Sequence, residues 1–184
     1  MLVDCGPGYG CDGGWTDYAL DFLIESGGAQ AEADYPYTAG VDEEAGLYIW
    51  IFAPNVRTLW HIFLGTCKFD NSAIVATLSS YDTVMVWYEG TDGLAQSIND
   101  NGPHATYLYV NDNFRNYAYG IFDDPSCPTN TYNHAVINVG YDTDAGYWLI
   151  RNSWGSGWGD LGHIKMAIGK NTCNVENNAW VPKI

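Results

Sequence analysis

Between residues 103 and 184 the chain is cut into short apolar runs by clusters of turn-forming residues, and this punctuation limits its fold more than any other feature. The breaks at 142–146, 155–162 and 169–171 are rich in Gly, Asp and Asn, which adopt the tight backbone conformations that most residues avoid. The runs between them, 106–110, 134–141, 147–151, 163–167 and 180–181, are rich in β-branched and aromatic residues and read as strands. Their spacing suits a small antiparallel barrel.

The beginning of the chain is built differently. Pro7, Gly8, Gly10, Gly13 and Gly14 surround Cys5 and Cys11 in what reads as loop. Tyr18, Ala19, Phe22 and Leu23 then fall at helical spacing, and Gly27-Gly28 supplies a stop, so a helix is expected over 16–25. A short helical turn is expected over 94–99, ending at Asn101-Gly102. Helix first and sheet afterwards is an α+β arrangement.

Seven basic residues stand against 22 acidic ones, a formal charge of -15. Such a surface repels phosphate backbones and anionic membranes, so neither nucleic acid nor a membrane is an expected partner. It suits an acidic compartment, where carboxylates protonate, and equally suits solubility. The apolar stretch 47–64 approaches membrane-spanning length, but Pro54, Asn55, Arg57 and His61 would be costly in hydrocarbon.

Five cysteines, at 5, 11, 67, 127 and 173, lack the paired spacing of a zinc site, and their wide separation is typical of disulfides in an oxidising compartment. An odd count leaves one without a partner. His61, His104 and His163 have no spacing suited to metal ligation, and surface or pocket-edge positions are expected for them. Asp42, Glu43 and Glu44, with Asp112, Asp123, Asp124 and Asp142, lack the dense pattern of a calcium loop and read as solvated charges.

One pair of residues is suited to catalysis. His134 stands at the head of an expected strand, and Asn152 follows the next strand, so a hairpin would bring them together. An Asn oxygen fixes the tautomer of a neutral imidazole without adding charge, and a His held in this way serves as general acid and base. Taken alone, His134 reads first as a half-buried polar residue beside a strand, and the neighbouring motif is what favours catalysis. The segment from Asn152 to Gly159 adds two indoles in a glycine-rich loop, of which Trp154 could cover the His and Asn pair.

Asn133-His134-Ala135-Val136 and Tyr147-Trp148-Leu149-Ile150-Arg151-Asn152-Ser153-Trp154-Gly155 resemble the catalytic His and Asn blocks of papain-like, cathepsin L-like cysteine proteases. Leu2-Val3-Asp4-Cys5, Gly10-Cys11-Asp12-Gly13-Gly14 and Asp34-Tyr35-Pro36-Tyr37 match the same family in the same order. The resemblance implies a two-lobed papain-like fold in one peptidase domain over 1–184, with part of the helical lobe in 1–38 and mostly the antiparallel β-barrel lobe in 66–184. It also implies peptide-bond hydrolysis by a Cys thiolate, with His134 as its imidazolium partner and Asn152 orienting the ring.

By the same matching Gly13, Gly14, Trp15, Tyr107, Tyr132, Asn133, Ala135, Trp154 and Asn178 would contact substrate. Trp15, Tyr107, Tyr132, Ala135 and Asn178 would border the pocket for the second residue before the scissile bond. The bulk of Trp15, Tyr107 and Tyr132 favours small or medium apolar side chains there. Family pairing would join Cys5 to Cys67 and Cys127 to Cys173, with Cys11 tied to a cysteine outside this sequence. No metal or organic cofactor is implied. The implied partners are a peptide or protein substrate and a propeptide or cystatin-type inhibitor, for a monomer that is lysosomal or secreted.

Two departures from the family pattern stand out. The nucleophilic Cys and the Gln of the oxyanion hole belong to a helix before the Leu2 block, so this polypeptide alone is expected to be inactive, either a fragment of a protease or a peptide- or inhibitor-binding relative. Residues 41–65 have no family counterpart. They are either a real insertion forming an apolar flap or translated intron sequence, and the family-like flanks favour the second.

Overall fold

The computed structural model describes residues 1–37 and 66–184. The atypical stretch 41–65, with His61 and the acidic group at 42–44, lies outside the described residues. The chain forms two compact units, Met1–Ser80 with Ile184, and Tyr81–Lys183.

The first unit opens with helix α1 (Leu2–Cys5) and a 3-10 turn at Gly10–Asp12. Helix α2 (Thr16–Glu25) has the bounds that its apolar spacing indicated, and Leu20 is its buried residue. Strand β1 (Ala29–Gln30) pairs with β2 (Ile74–Ala76), an antiparallel ladder too short to leave a period-two signature. Gly28 is required at this crossing. It has a positive φ of 145°, and a Cβ there would sit 2.3 Å from the Ala76 carbonyl oxygen. The Cys5–Cys67 disulfide closes the unit across 62 residues.

The second unit is a seven-stranded sheet with one long helix. Strand β3 is Ser80–Val84 and helix α3 is Val86–Asn101, broken at Gly90, whose φ of 70° is non-helical. Strand β4 (His104–Leu108) and helix α4 (Asp112–Arg115) follow, then β5 (Ile121–Phe122), β6 (His134–Asp142), β7 (Tyr147–Arg151), β8 (His163–Ala167) and β9 (Ala179–Lys183). The spatial order is β3-β9-β4-β6-β7-β8-β5. The ladders β9–β4, β4–β6, β6–β7 and β7–β8 are antiparallel, while β5 joins β8 in parallel, which makes the sheet mixed.

The sheet buries one face. On β7 Trp148 and Ile150 point inward while Tyr147, Leu149 and Arg151 alternate with them, and on β8 Ile164 and Met166 do the same. Leu94 and Ile98 of α3 join this core with Leu108, Phe114, Val175 and Val181. Cys127–Cys173 ties the loop after β5 to the turn before β9.

Several expectations need correcting. Helix α3 runs well beyond 94–99, because Leu94, Ala95 and Ile98 dock it on the sheet and packing outweighs the weak helix propensity of its Gly and Asn residues. The strand expected over 106–110 begins at His104 and ends at Leu108. His104 is fully buried, at neither the surface nor a pocket edge. Asp124 is more than a solvated charge, since Asn111, Asn113 and Ser126 all donate to it. These donors hold its carboxyl well below the usual carboxylate range.

Candidate active site

The β6–β7 hairpin assembles the site. Cross-strand pairing sets Leu108 opposite His134 and Ile137 opposite Arg151, so Asn152, one step past that pair, returns toward the head of β6. His134 Nε2 and Asn152 Oδ1 are 2.8 Å apart. The Ser153 amide also donates to Oδ1, at 2.8 Å, so this atom is the acceptor and Nε2 carries the proton. Nδ1 is then the nitrogen left to accept or deliver a proton. Asn152 is buried and its own amide donates to the Gly162 carbonyl at 2.9 Å, which fixes the backbone that aims the side chain.

Aromatic residues back the pair. Trp154 lies 5.1 Å from the His134 ring, centroid to centroid, tilted by 32°. It contacts Phe114 edge-on at 5.8 Å and Trp158 at 5.2 Å, and Phe114 stacks on Trp158 at 5.2 Å. Phe114 is fully buried on α4, whose N-cap Asn111 accepts from the Phe114 amide at 2.9 Å. Trp158 Nε1 donates to the Arg115 carbonyl at 3.0 Å, and the Arg115 guanidinium lies 5.7 Å from the Trp154 ring centroid. The loop needs Gly159, whose φ is 56° and whose Cβ would meet the His163 carbonyl oxygen at 2.5 Å.

Most of the other expected site residues of the second unit lie near β4 and the head of β6. Tyr107 pairs with Ala135 across β4 and β6, next to the Leu108–His134 pair. Its ring stacks on Tyr132 at 4.9 Å and meets Trp180 edge-on at 4.6 Å. Asn178 contributes its carbonyl to Thr106 Oγ1 at 2.8 Å. The carboxamide of Asn133 is engaged with the backbone: Oδ1 accepts from Val110 N at 2.7 Å and Nδ2 donates to Val110 O at 3.2 Å. Gly13, Gly14 and Trp15 belong to the first unit, where they are exposed between the 3-10 turn and α2.

Arg115 and Phe114 are members of this cluster that no motif marked. The available signal was slight: an Asn three residues ahead of an isolated apolar residue, as at a helix N-cap. Both expected disulfides are present, and Cys11 is a free, exposed thiol. Among the described residues no cluster of His, Cys, Asp or Glu is arranged to hold a metal ion, and no helix is long and apolar enough to cross a membrane.

The model of the papain family cysteine proteases matches residues 1–183. The chain belongs to the papain family of cysteine proteases. Digestive cysteine proteinase 2 of Homarus americanus is 33% identical over all of this papain-family chain and 51% of its own length. Cathepsin S of Mus musculus is 33% identical over the whole chain and 49% of its own length. Among solved structures, digestive procathepsin L2 proteinase from Tenebrio molitor larval midgut superposes with a TM-score of 0.78 at 32% identity, covering 100% of this chain and 51% of that one. Bromelain from Ananas comosus, solved with the E64 inhibitor, gives 0.75 at 28% identity, covering 100% of this chain and 75% of that one. The fold is papain-like, and the papain-family chain spans about half the length of these curated relatives.

Proposed function

We propose that this chain carries the imidazole and amide half of a thiol peptidase centre that cleaves within peptide chains. The observation that supports this most is the 2.8 Å contact between His134 Nε2 and Asn152 Oδ1, with the Ser153 amide fixing the acceptor and Nδ1 left for proton transfer. In this reading a Cys thiolate attacks the substrate carbonyl and His134 Nδ1–H protonates the departing amine. The imidazole then takes a proton from the water that cleaves the thioester. Asn152 holds the ring through both steps, and Trp154 shields the hydrogen bond from water.

The thiolate comes from outside the residues of the second unit in this proposal. Both cysteines there, Cys127 and Cys173, are disulfide-bonded, and the free Cys11 belongs to the loop of the first unit. The first unit would correspond to part of the helical lobe, with Gly13, Gly14 and Trp15 as its substrate-contacting residues; within the second unit Tyr107, Tyr132, Ala135 and Asn178 would border a pocket for a small or medium apolar side chain. Two disulfides and the digestive proteinases among its relatives are in keeping with a lysosomal or secreted protein.

The same cysteine inventory supports a second reading, a peptide- or inhibitor-binding relative without hydrolytic activity. Hydrolysis of blocked fluorogenic peptides separates the two, using both the 184-residue polypeptide and a longer polypeptide that includes its native upstream coding sequence. The 184-residue form is expected to be silent and the longer form active, with His134→Ala lowering kcat/KM at least about a hundredfold. Asn152→Ala is expected to lower kcat more than it raises KM. An inactive longer form, or activity indifferent to His134→Ala, sinks the peptidase reading.

A further inference from the structure

The guanidinium of Arg115 has no part in the hydrogen bonds that assemble the His134 and Asn152 pair, yet it stands beside them. Its Cζ is 5.7 Å from the centroid of the Trp154 ring, and that ring is 5.1 Å from the imidazole. Those distances put the guanidinium within roughly three extended residues of any bond attacked at His134. Arg115 is exposed, and Trp154 is 36% exposed, so the cation and the edge of the indole reach solvent together.

Its charge is unneutralised among the described residues. Lys165, Lys170 and Lys183 each hold a carboxylate, from Asp160, Asp123 and Asp82 in turn, whereas Arg115 is in no ion pair there. Lys68 and Arg151 are likewise in no ion pair among the described residues, but neither is placed against the Trp154 ring as Arg115 is. Asp112, on the same short helix, is exposed and makes no ion pair with it. The helix itself is firmly seated through Phe114 in the core and the Trp158 bond to the Arg115 carbonyl, so the base of the side chain is fixed.

We propose that Arg115 is the anion-binding residue of a subsite beside the imidazole, one that takes a carboxylate carried by the bound peptide. Guanidinium binds carboxylate through a planar fork of donors, and the attraction of the cation to the Trp154 ring at 5.7 Å restricts the side chain, leaving less entropy to lose. The net charge of -15 opposes an anionic ligand at long range, but at physiological salt the field is screened over about 8 Å. A carboxylate within hydrogen-bonding reach of Arg115 is therefore governed by Arg115. A purely structural Arg115, packed on the indole and nothing more, would affect stability without sorting ligands by charge.

This inference rests on the site being one that binds peptides, and a binding measurement separates it from the hydrolytic reading. The probes are blocked Ala-Gly hexapeptides carrying one Glu scanned through the sequence, each with its Gln counterpart. The unsubstituted peptide with a free or an amidated C-terminus tells a side-chain carboxylate from a terminal one. Binding to the 184-residue chain is followed by the NMR shifts of the Trp154 indole N–H and the His134 ring.

At one peptide position the acidic form is expected to bind about three- to tenfold tighter than its amide. That ratio should fall to about one in Arg115→Gln, be only partly kept in Arg115→Lys, which retains the charge without the planar fork, and shrink at roughly 0.5 M salt. Equal affinity of acid and amide forms at every position overturns the proposal, as does a preference that survives Arg115→Gln, or no binding of any probe at millimolar concentration. Charge-selective binding without hydrolysis by the longer polypeptide would overturn the peptidase reading and leave this one standing.

Discussion

Glu176 shows how far a residue's role can depart from its appearance in the sequence. Surrounded by Asn and Val, it reads as a surface charge, but it is buried at 4% exposure. Its carboxylate accepts from Trp148 Nε1 at 2.7 Å, from the Gly169 amide at 2.6 Å and from the Asn171 amide at 2.8 Å. Its own amide donates to Asn171 Oδ1 at 2.9 Å. The network holds a turn in which Asn171, Cys173 and Asn174 all have positive φ, a conformation costly for residues with a Cβ. Glu176→Ala leaves the buried Trp148 Nε1–H and two partly buried backbone N–H groups without this acceptor, and a buried donor left unpaired costs about 1–3 kcal/mol. A loss of about 2 kcal/mol or more is expected in urea unfolding, with Glu176→Gln losing less. A loss under about 1 kcal/mol would mean that water replaces the carboxylate. Trp148 is 28 positions away, which is why no local pattern exposes this residue.

Among the elements, those whose side chains alternate or recur locally were legible and those made by distant contacts were not. Helix α2, β7 and β8 match their expected bounds because their apolar periodicity is set by one neighbouring face. Strands β1, β2 and β5 are two or three residues long, too short for any period, and exist through their partners. The approach of His134 to Asn152 was readable because a hairpin joins them. The Arg115 position was not, because α4 reaches Trp154 only through tertiary packing.

Helix α3 is held at its C-terminal end by a device that responds to acid. His104 of β4 is fully buried, its Nε2 is 2.8 Å from Ser97 Oγ of α3, and its Nδ1 has no partner among the described residues. Burial pushes the imidazole below its ordinary value of 6.5, against an upward pull from the Pro103 and Gly102 backbone, and the Lys183 cation adds a smaller lowering. Lys183 itself reaches Asp82 at 3.3 Å and Asn101 of α3 at 2.7 Å, while Asp100 is exposed and accepts from Gln96 and Asn99. The folded state thus holds fewer protons than the unfolded one. The contribution of His104 is complete above pH 6.5 and is lost as pH falls from there through the lower folded value. Unfolding free energy should decline in the window just below pH 6.5 by up to about 1.4 kcal/mol per pH unit from this group, and His104→Gln should remove that slope. Asp70, Asp100 and Asp124 have lowered carboxyls and lose their contribution only below about pH 4, outside this window. An unchanged slope in His104→Gln would show that the acid response lies elsewhere.

At the scale of the whole molecule, each disulfide closes within one compact unit. Cys5–Cys67 spans 62 residues of the first, and Cys127–Cys173 spans 46 of the second. A crosslink over loops of this length restricts the unfolded chain by about 4 kcal/mol in the chain-entropy account, a large share of the stability of an ordinary domain. The second unit also has a continuous apolar core, with Trp148, Ile150, Ile164 and Met166 fully buried, whereas Leu20 is the buried residue of helix α2. The consequence of losing a crosslink should therefore differ between the units. Cys5→Ser with Cys67→Ser is expected to abolish amide-exchange protection in α2 while β6, β7 and β8 keep most of theirs. Cys127→Ser with Cys173→Ser should lower protection in those strands by about 2–5 kcal/mol without unfolding them. Simultaneous loss of protection in both units from the first double variant would show that they unfold as one, and that the sheet depends on the N-terminal unit despite its own core.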